Sequence, residues 1–177
     1  MDKSKLITVF FSRAGENYCN GSICNLEKGN TKIAAEYIQQ TVGGNLFEIK
    51  SARDYPEAYD VCTAAAKKEL YNKERVPVHS YGVNLQEYQV IFLGYPNWWG
   101  TMPMVLFTFL EHYDLTGKML IPFCTNEGSG MGRSISDLKS LCPGAVIDKG
   151  LSIHGSDVSD LKNKITSWAA AMTDLYK

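Results

Sequence analysis

The sequence predicts an open α/β fold: a five-stranded parallel sheet of order 2-1-3-4-5 with helices on both faces. Three observations lead there. Short apolar, β-branched runs alternate along the chain with helical patterns, as in successive βαβ units. Those runs are apolar almost without interruption, which suits strands buried on both faces. No repeat or linker divides the 177 residues, so one domain is expected over 1–177. Right-handed crossovers with one reversal of direction give the stated order. In that order the loops after strands one, three and four converge at one edge of the sheet.

The first strand is expected at 6–11. A polar stretch with an insertion at about 16–28 follows, far longer than the usual two to six residues of a βα loop. Gly29-Asn30-Thr31 then opens a helix carried by Ile33, Ala34, Tyr37, Ile38 and Val42, and Gly43-Gly44 stops it. The second strand falls at 46–49. A helix is expected at 59–73 with Val61, Ala65 and Leu70 inward. Val90-Ile91-Phe92-Leu93 is the third strand, with Gly94 ending it and Pro96 preventing simple continuation. A helix begins near Pro103. The fourth strand is expected at 119–123, with Pro122 at its end because proline is disfavoured inside a strand. A short helix at 134–141, a last strand within 145–153, and a final helix capped by Ser156 or Asp157 complete the chain.

Composition restricts function. Hydrophobic residues make up 45% and charged residues 21%, with a net charge of −1. That is ordinary for a globular protein and offers no basic face for nucleic acid. The apolar run behind Lys3 and Lys5 is too short for a membrane span or a signal peptide. A cytoplasmic protein without a membrane partner is the expectation. Five cysteines, at 19, 24, 62, 124 and 142, form no zinc pattern and are expected as reduced thiols. His79, His112 and His154 lie in separate segments without a nucleophile motif, which argues against a hydrolytic triad.

The converging loops carry the chemistry. Ser12, Asn30 and Thr31 offer polar groups beside a helix N-terminus, a combination that suits a phosphate. The alternative is a plain helix cap by Asn30 or Thr31. The loop lacks both the Gly-Lys-Ser/Thr of a nucleotide-hydrolysing loop and a compact G-x-G-x-x-G. Trp98 and Trp99 either plug the core edge or face a flat ligand. The glycine-rich stretch from Thr125 to Gly132 allows backbone to approach a ring closely.

Phe11-Ser12-Arg13-Ala14-Gly15, Gly29-Asn30-Thr31, Gly94-Tyr95-Pro96-Asn97-Trp98-Trp99-Gly100-Thr101-Met102-Pro103, and Pro122-Phe123-Cys124-Thr125-Asn126-Glu127-Gly128-Ser129-Gly130 together resemble the flavodoxin family. The resemblance spans essentially the whole chain and is to a branch with paired tryptophans. It implies a three-layer flavodoxin-like sandwich holding non-covalent FMN. Ser12, Arg13, Ala14, Asn30 and Thr31 would match the phosphate loop. Pro96, Asn97, Trp98, Trp99, Gly100 and Thr101 would match one ring loop, and Thr125, Asn126, Glu127, Gly128, Ser129 and Gly130 the other. The implied function is electron transfer between redox partner proteins, a reductase and an acceptor. An FMN-dependent reductase of a small molecule such as a quinone is the second reading, and a cofactor-free interaction module the third. The sequence departs from the family in the insertion and in being nearly neutral, where electron-shuttling flavodoxins are acidic.

Overall fold

The structure is a computed structural model that describes residues 3–175. Met1, Asp2, Tyr176 and Lys177 of the expected 1–177 domain lie outside the described residues. Strand β1 (Leu6–Phe10) is followed by a hairpin, β2 (Gly15–Cys19) and β3 (Ser22–Leu26), and by helix α1 (Asn30–Val42). Then come β4 (Asn45–Glu48), α2 (Tyr59–Tyr71), β5 (Val90–Pro96), α3 (Met104–Glu111) and β6 (Met119–Asn126). The chain continues through α4 (Ser134–Leu141), β7 (Val146–Ile147), β8 (Leu151–His154) and α5 (Lys162–Leu175). The main sheet runs β4-β1-β5-β6, and both β7 and β8 pair with β6, all in parallel. With β7 and β8 as two pieces of one strand, the order is 2-1-3-4-5.

The strands β1, β5 and β6 read as apolar throughout because each face meets a helical layer. Ile7, Val9, Ile91, Leu93, Leu120 and Cys124 pack with Val105, Phe109 and Leu110 of α3 and Leu138 of α4. Leu6, Phe10, Val90, Phe92, Ile121 and Phe123 pack with Ala35 and Ile38 of α1 and Ile165 and Ala169 of α5. Each such large side chain contributes about 1.5–3 kcal/mol on burial. A solvent-exposed ion pair such as Arg75–Glu111 contributes about 1 kcal/mol or less. The two packed faces therefore hold the fold.

The two prolines differ in place: Pro96 is the last residue of β5, and Pro122 lies inside β6. β5 continues through Gly94 and Tyr95 to Pro96, which pairs with Thr125. The Gly94 carbonyl accepts from Phe11 N–H, so the even residues of β5 face β1. The missing donor of Pro96 thus points to where β1 has already ended. Pro122 sits inside β6 rather than at its end. The carbonyls of Lys118 and Leu120 accept from Val146 and Asp148, so Pro122 also faces the last strand. That strand breaks there: β7 ends at Ile147, β8 begins at Leu151, and Gly150 between them takes φ +74°.

Two further expectations, the reduced thiols of Cys19 and Cys24 and the inward face of α2, are corrected. The insertion at 16–28 is mostly a hairpin turning at Asn20 and Gly21, both at positive φ, as a type I′ turn requires. Cys19 and Cys24 on it form a disulfide instead of two reduced thiols, with Cα atoms 5.9 Å apart. The inward face of α2 is Cys62, Ala66 and Glu69, while Val61 is half exposed and Leu70 partly buried. The Glu69 carboxylate accepts from Tyr55 Oη at 3.0 Å and lies 3.8 Å from Arg53. Burial pushes its pKa above the usual 4.5, against the lowering effect of the Tyr55 hydrogen bond.

Gly150→Ala should destabilise the protein by about 2–4 kcal/mol in urea unfolding, because an added Cβ would lie 2.4 Å from the Pro122 carbonyl in a left-handed backbone. Glu69 gives a pH signature. Its raised folded pKa means that its contribution to stability is greatest when the group is protonated and falls as pH rises through that pKa. Glu69→Gln, always neutral and still an acceptor for Tyr55, should gain urea-midpoint stability over the parent between about pH 4 and pH 7. A difference constant across that range would mean that Glu69 does not titrate there.

Candidate functional site

The loops leaving β1, β5 and β6 border one cavity of about 330 Å³, within the range of small-molecule sites. Of the residues expected there, Ser12, Arg13, Asn30, Thr31, Pro96, Asn97, Trp98, Trp99, Thr125, Asn126, Glu127 and Ser129 line it. Ala14, Gly100, Thr101, Gly128 and Gly130 do not. The hairpin adds Asn17 and Tyr18, α2 adds Tyr59, Cys62, Thr63 and Ala66, and the turn after β8 adds Gly155. Those additions come from segments that carry no glycine-rich signal. The helical spacing of Tyr59, Cys62 and Ala66 was the available hint, for it puts all three on one face.

At one end lies the start of α1. The cap position is Gly29, not Asn30 or Thr31, and it makes no side-chain cap. Instead the Ser12 hydroxyl accepts from Lys32 N–H at 3.1 Å, serving as the cap from the preceding loop. A Cβ on Gly29 would lie 2.3 Å from Ser12 Oγ and 2.4 Å from the Arg13 carbonyl. The chain thus folds tightly here, with the helix start against the loop. Thr31 Oγ1 is buried and 2.7 Å from Thr125 Oγ1, joining the first loop to the third. This end has hydroxyls, an amide and a helix N-terminus, the donor set an anionic oxygen group requires.

At the other end the two tryptophans part. Trp98 stands edge-on to Phe11 and Tyr55, at centroid distances of 5.5 and 4.9 Å. It is partly buried against the core and also forms cavity wall. Trp99 is 47% exposed. Its indole N–H donates to the Thr63 carbonyl of α2 at 2.8 Å, and Lys67 Nζ lies 4.7 Å from its ring centroid. The divergence comes from the backbone. Trp98 and Thr101 bridge each other around Trp99 at φ +55° and Gly100 at φ +83°, again a type I′ turn. Gly100 N–H is held by Asn97 Oδ1 at 2.9 Å, and its carbonyl accepts from Arg133 N–H.

Several expected ligand side chains are occupied in building the loops. Asn97 donates to the Gly130 carbonyl at 2.8 Å while accepting from Gly100. Asn126 Oδ1 accepts from Gly128 and Gly130 N–H, and its amide donates to Ser152 Oγ and the Ile153 carbonyl. The Arg13 guanidinium donates to the carbonyls of Glu16, Pro56 and Glu57, tying the first loop to the start of α2. Glu127 accepts from Asn20 N–H, Ser156 N–H and Ser156 Oγ. Thr101 is buried and donates to Asp137. Cys124 is fully buried, and burial pushes its thiol up to about 12, which makes it an inert filler. Cys62 faces the cavity with its thiol also raised by burial, partly offset by Arg13. Among the described residues no group of His, Cys, Asp and Glu side chains could hold a metal ion, and no helix is long and apolar enough to cross a membrane.

A candidate flavoprotein of Bacteroides eggerthii is 29% identical to the chain, with a TM-score of 0.69 over 92% of this chain and 98% of that one. A second from Bacteroides uniformis is 26% identical, with a TM-score of 0.73 over 93% and 97%. A flavoprotein of Lactobacillus acidophilus, solved in complex with FMN, shares the fold at 16% identity and a TM-score of 0.63 over 89% and 97%. No curated protein matches the chain. A sequence model described as flavodoxin matches residues 25–172. Taken with the parallel sheet and its loop-bordered cavity, this match establishes that the chain belongs to the flavodoxin family.

Proposed function

We infer that the chain binds FMN without a covalent bond and carries electrons between redox partner proteins, a reductase and an acceptor, in the cytoplasm. The observation that carries this reading is the meeting, in one cavity, of a helix N-terminus set with Ser12, Asn30 and Thr31 and an aromatic wall set with Trp98, Trp99 and Tyr59. Family membership and the fold shared with a flavoprotein solved in complex with FMN support it. The residues fit the group. The tight packing at Gly29 brings the α1 start beside Ser12, the place for a phosphate, and the aromatic end suits a flat ring.

When bound, FMN supplies reversible electron-transfer chemistry, and the protein supplies orientation and electrostatics. Ser12, Asn30, Thr31 and the helix end hold the phosphate and keep the ring in register. Trp98, fixed by Phe11 and Tyr55, gives a rigid wall. Apolar walls disfavour extra negative charge, so they tend to lower the potential of the cofactor. Trp99 and Tyr18, both exposed at the rim, give a partner an aromatic surface to approach. With a net charge of −1, docking depends less on long-range steering than in an acidic carrier.

Anaerobic reductive titration of the purified protein tests the reading. A yellow protein that accepts electrons from a reductase and passes them to an acceptor protein fits it. A colourless protein that takes up no FMN, or steady NAD(P)H oxidation with a quinone and no partner protein, would sink it. Asn30→Ala and Thr31→Ala should each weaken FMN by about 1–3 kcal/mol, as loss of a hydrogen bond to a charged group does. Riboflavin, which lacks the phosphate, should be affected far less. Equal losses for both ligands would contradict the phosphate assignment.

A further inference from the structure

The hairpin β2–β3 lies outside the central sheet, yet it forms one side of the cavity. Its strands pair Gly15 with Leu26 and Asn17 with Cys24. One face therefore carries Asn17, Cys19, Cys24 and Leu26, all partly buried, while Glu16, Tyr18, Ile23 and Asn25 on the other are exposed. Asn17 and Tyr18 line the cavity. An isolated two-stranded hairpin is marginally stable by itself, so its position depends on its attachments.

At the base these are several. Arg13 donates to the Glu16 carbonyl, and the Glu16 carboxylate accepts from Tyr59 N–H at 2.8 Å; nearer the turn the rings of Tyr18 and Tyr59 stack at 6.3 Å. The Cys19–Cys24 bond braces the pair near the turn. At the tip, Asn20 N–H donates to Glu127 Oε2 at 3.0 Å. Glu127 stands on the opposite side of the cavity, in the loop after β6. It is itself fixed by Ser156, whose N–H and hydroxyl each lie 2.8 Å from its oxygens. A carboxylate lining a cavity meant for an anionic ligand opposes that ligand by charge. Its three donors supply a reason for its presence: it joins the hairpin tip to the turn after β8.

Resting on the FMN reading above, we propose that Glu127 is a positioning residue that pins the hairpin across the cavity as a cover, and that this cover sets the rates of cofactor uptake and release. Loss of the pin leaves the base attachments and the disulfide in place. The hairpin then stays folded but moves away from the cavity more often, so FMN enters and leaves faster. A residue that acted on the cofactor only through its charge would behave differently, because loss of a repelling carboxylate speeds uptake of an anion without speeding its release.

Glu127→Gln separates the two. The amide oxygen can still accept from Ser156 N–H, but the amide nitrogen cannot accept from Asn20. In stopped-flow measurements of FMN fluorescence, both the association and the dissociation rate constants should rise, by about tenfold, the scale of a lost hydrogen bond to a charged group. Amide hydrogen exchange without cofactor should accelerate over 17–26 and stay unchanged in α1. A rise in only one of the two rate constants would overturn the proposal, as would unaltered exchange over 17–26. If the parent protein takes up no FMN, the cofactor reading fails by itself. The exchange comparison then still decides whether Glu127 pins the hairpin.

Discussion

The site depends on one constraint: β1, β5 and β6 are buried on both faces and run out at the same edge of the sheet, β5 and β6 a little beyond β1. Phe10 pairs with Gly94, and Gly94 with Phe123. Just beyond that row the chain leaves the sheet three times. A strand sealed between two helical layers disfavours polar side chains, and β1 keeps one, Thr8. Hydroxyls, amides and charges therefore collect in the loops beyond it. The cavity follows from packing before any ligand is considered, and this is why open parallel sheets present sites at their carboxyl ends.

Much of the fold was legible because of that constraint. Continuous apolar runs such as Leu6 to Phe10 and Val90 to Leu93 marked the inner strands, and helical spacing marked α1, α3 and α5. The misreadings arose where local preference yielded to tertiary context. Gly94 was read as ending the third strand and Pro122 the fourth, yet both lie inside strands, and Pro96 and Pro122 are each tolerated where the missing donor costs little. Opposite Pro96 the neighbouring strand has ended, and opposite Pro122 it breaks. The hairpin was legible in part, since Asn20-Gly21 is a strong type I′ signal between alternating residues. The pairing of Cys19 with Cys24 follows only once that turn is recognised.

The site was legible by type more than by role. Sequence singled out most of the residues that line the cavity in the three loops, but not Asn17 and Tyr18 within the insertion, nor the wall provided by α2. Tyr59, Cys62 and Ala66 look in sequence like any inward helical face. Only the tertiary placement of α2 shows that part of this face borders a cavity instead of core. The same helix buries Glu69 one turn further on, against Tyr55, which in turn supports Trp98. The rigid aromatic wall and the buried carboxyl are thus parts of one packed unit.

A second division of labour concerns the polar side chains themselves. Arg13, Asn97, Asn126 and Glu127 are the kinds of residue one expects to reach a ligand. Each instead has its polar atoms engaged by backbone groups or by serine hydroxyls of neighbouring segments. Loops without regular structure need such partners, since their backbone N–H and C=O groups lack a ladder to satisfy them. Toward the cavity stand the α1 start with Asn30 and the hydroxyls of Ser12 and Thr31, each already in one hydrogen bond, at one end, and aromatic rings at the other. A site built this way is held by its scaffold before a ligand arrives. Little conformational freedom is left to be lost on binding in the loops after β5 and β6.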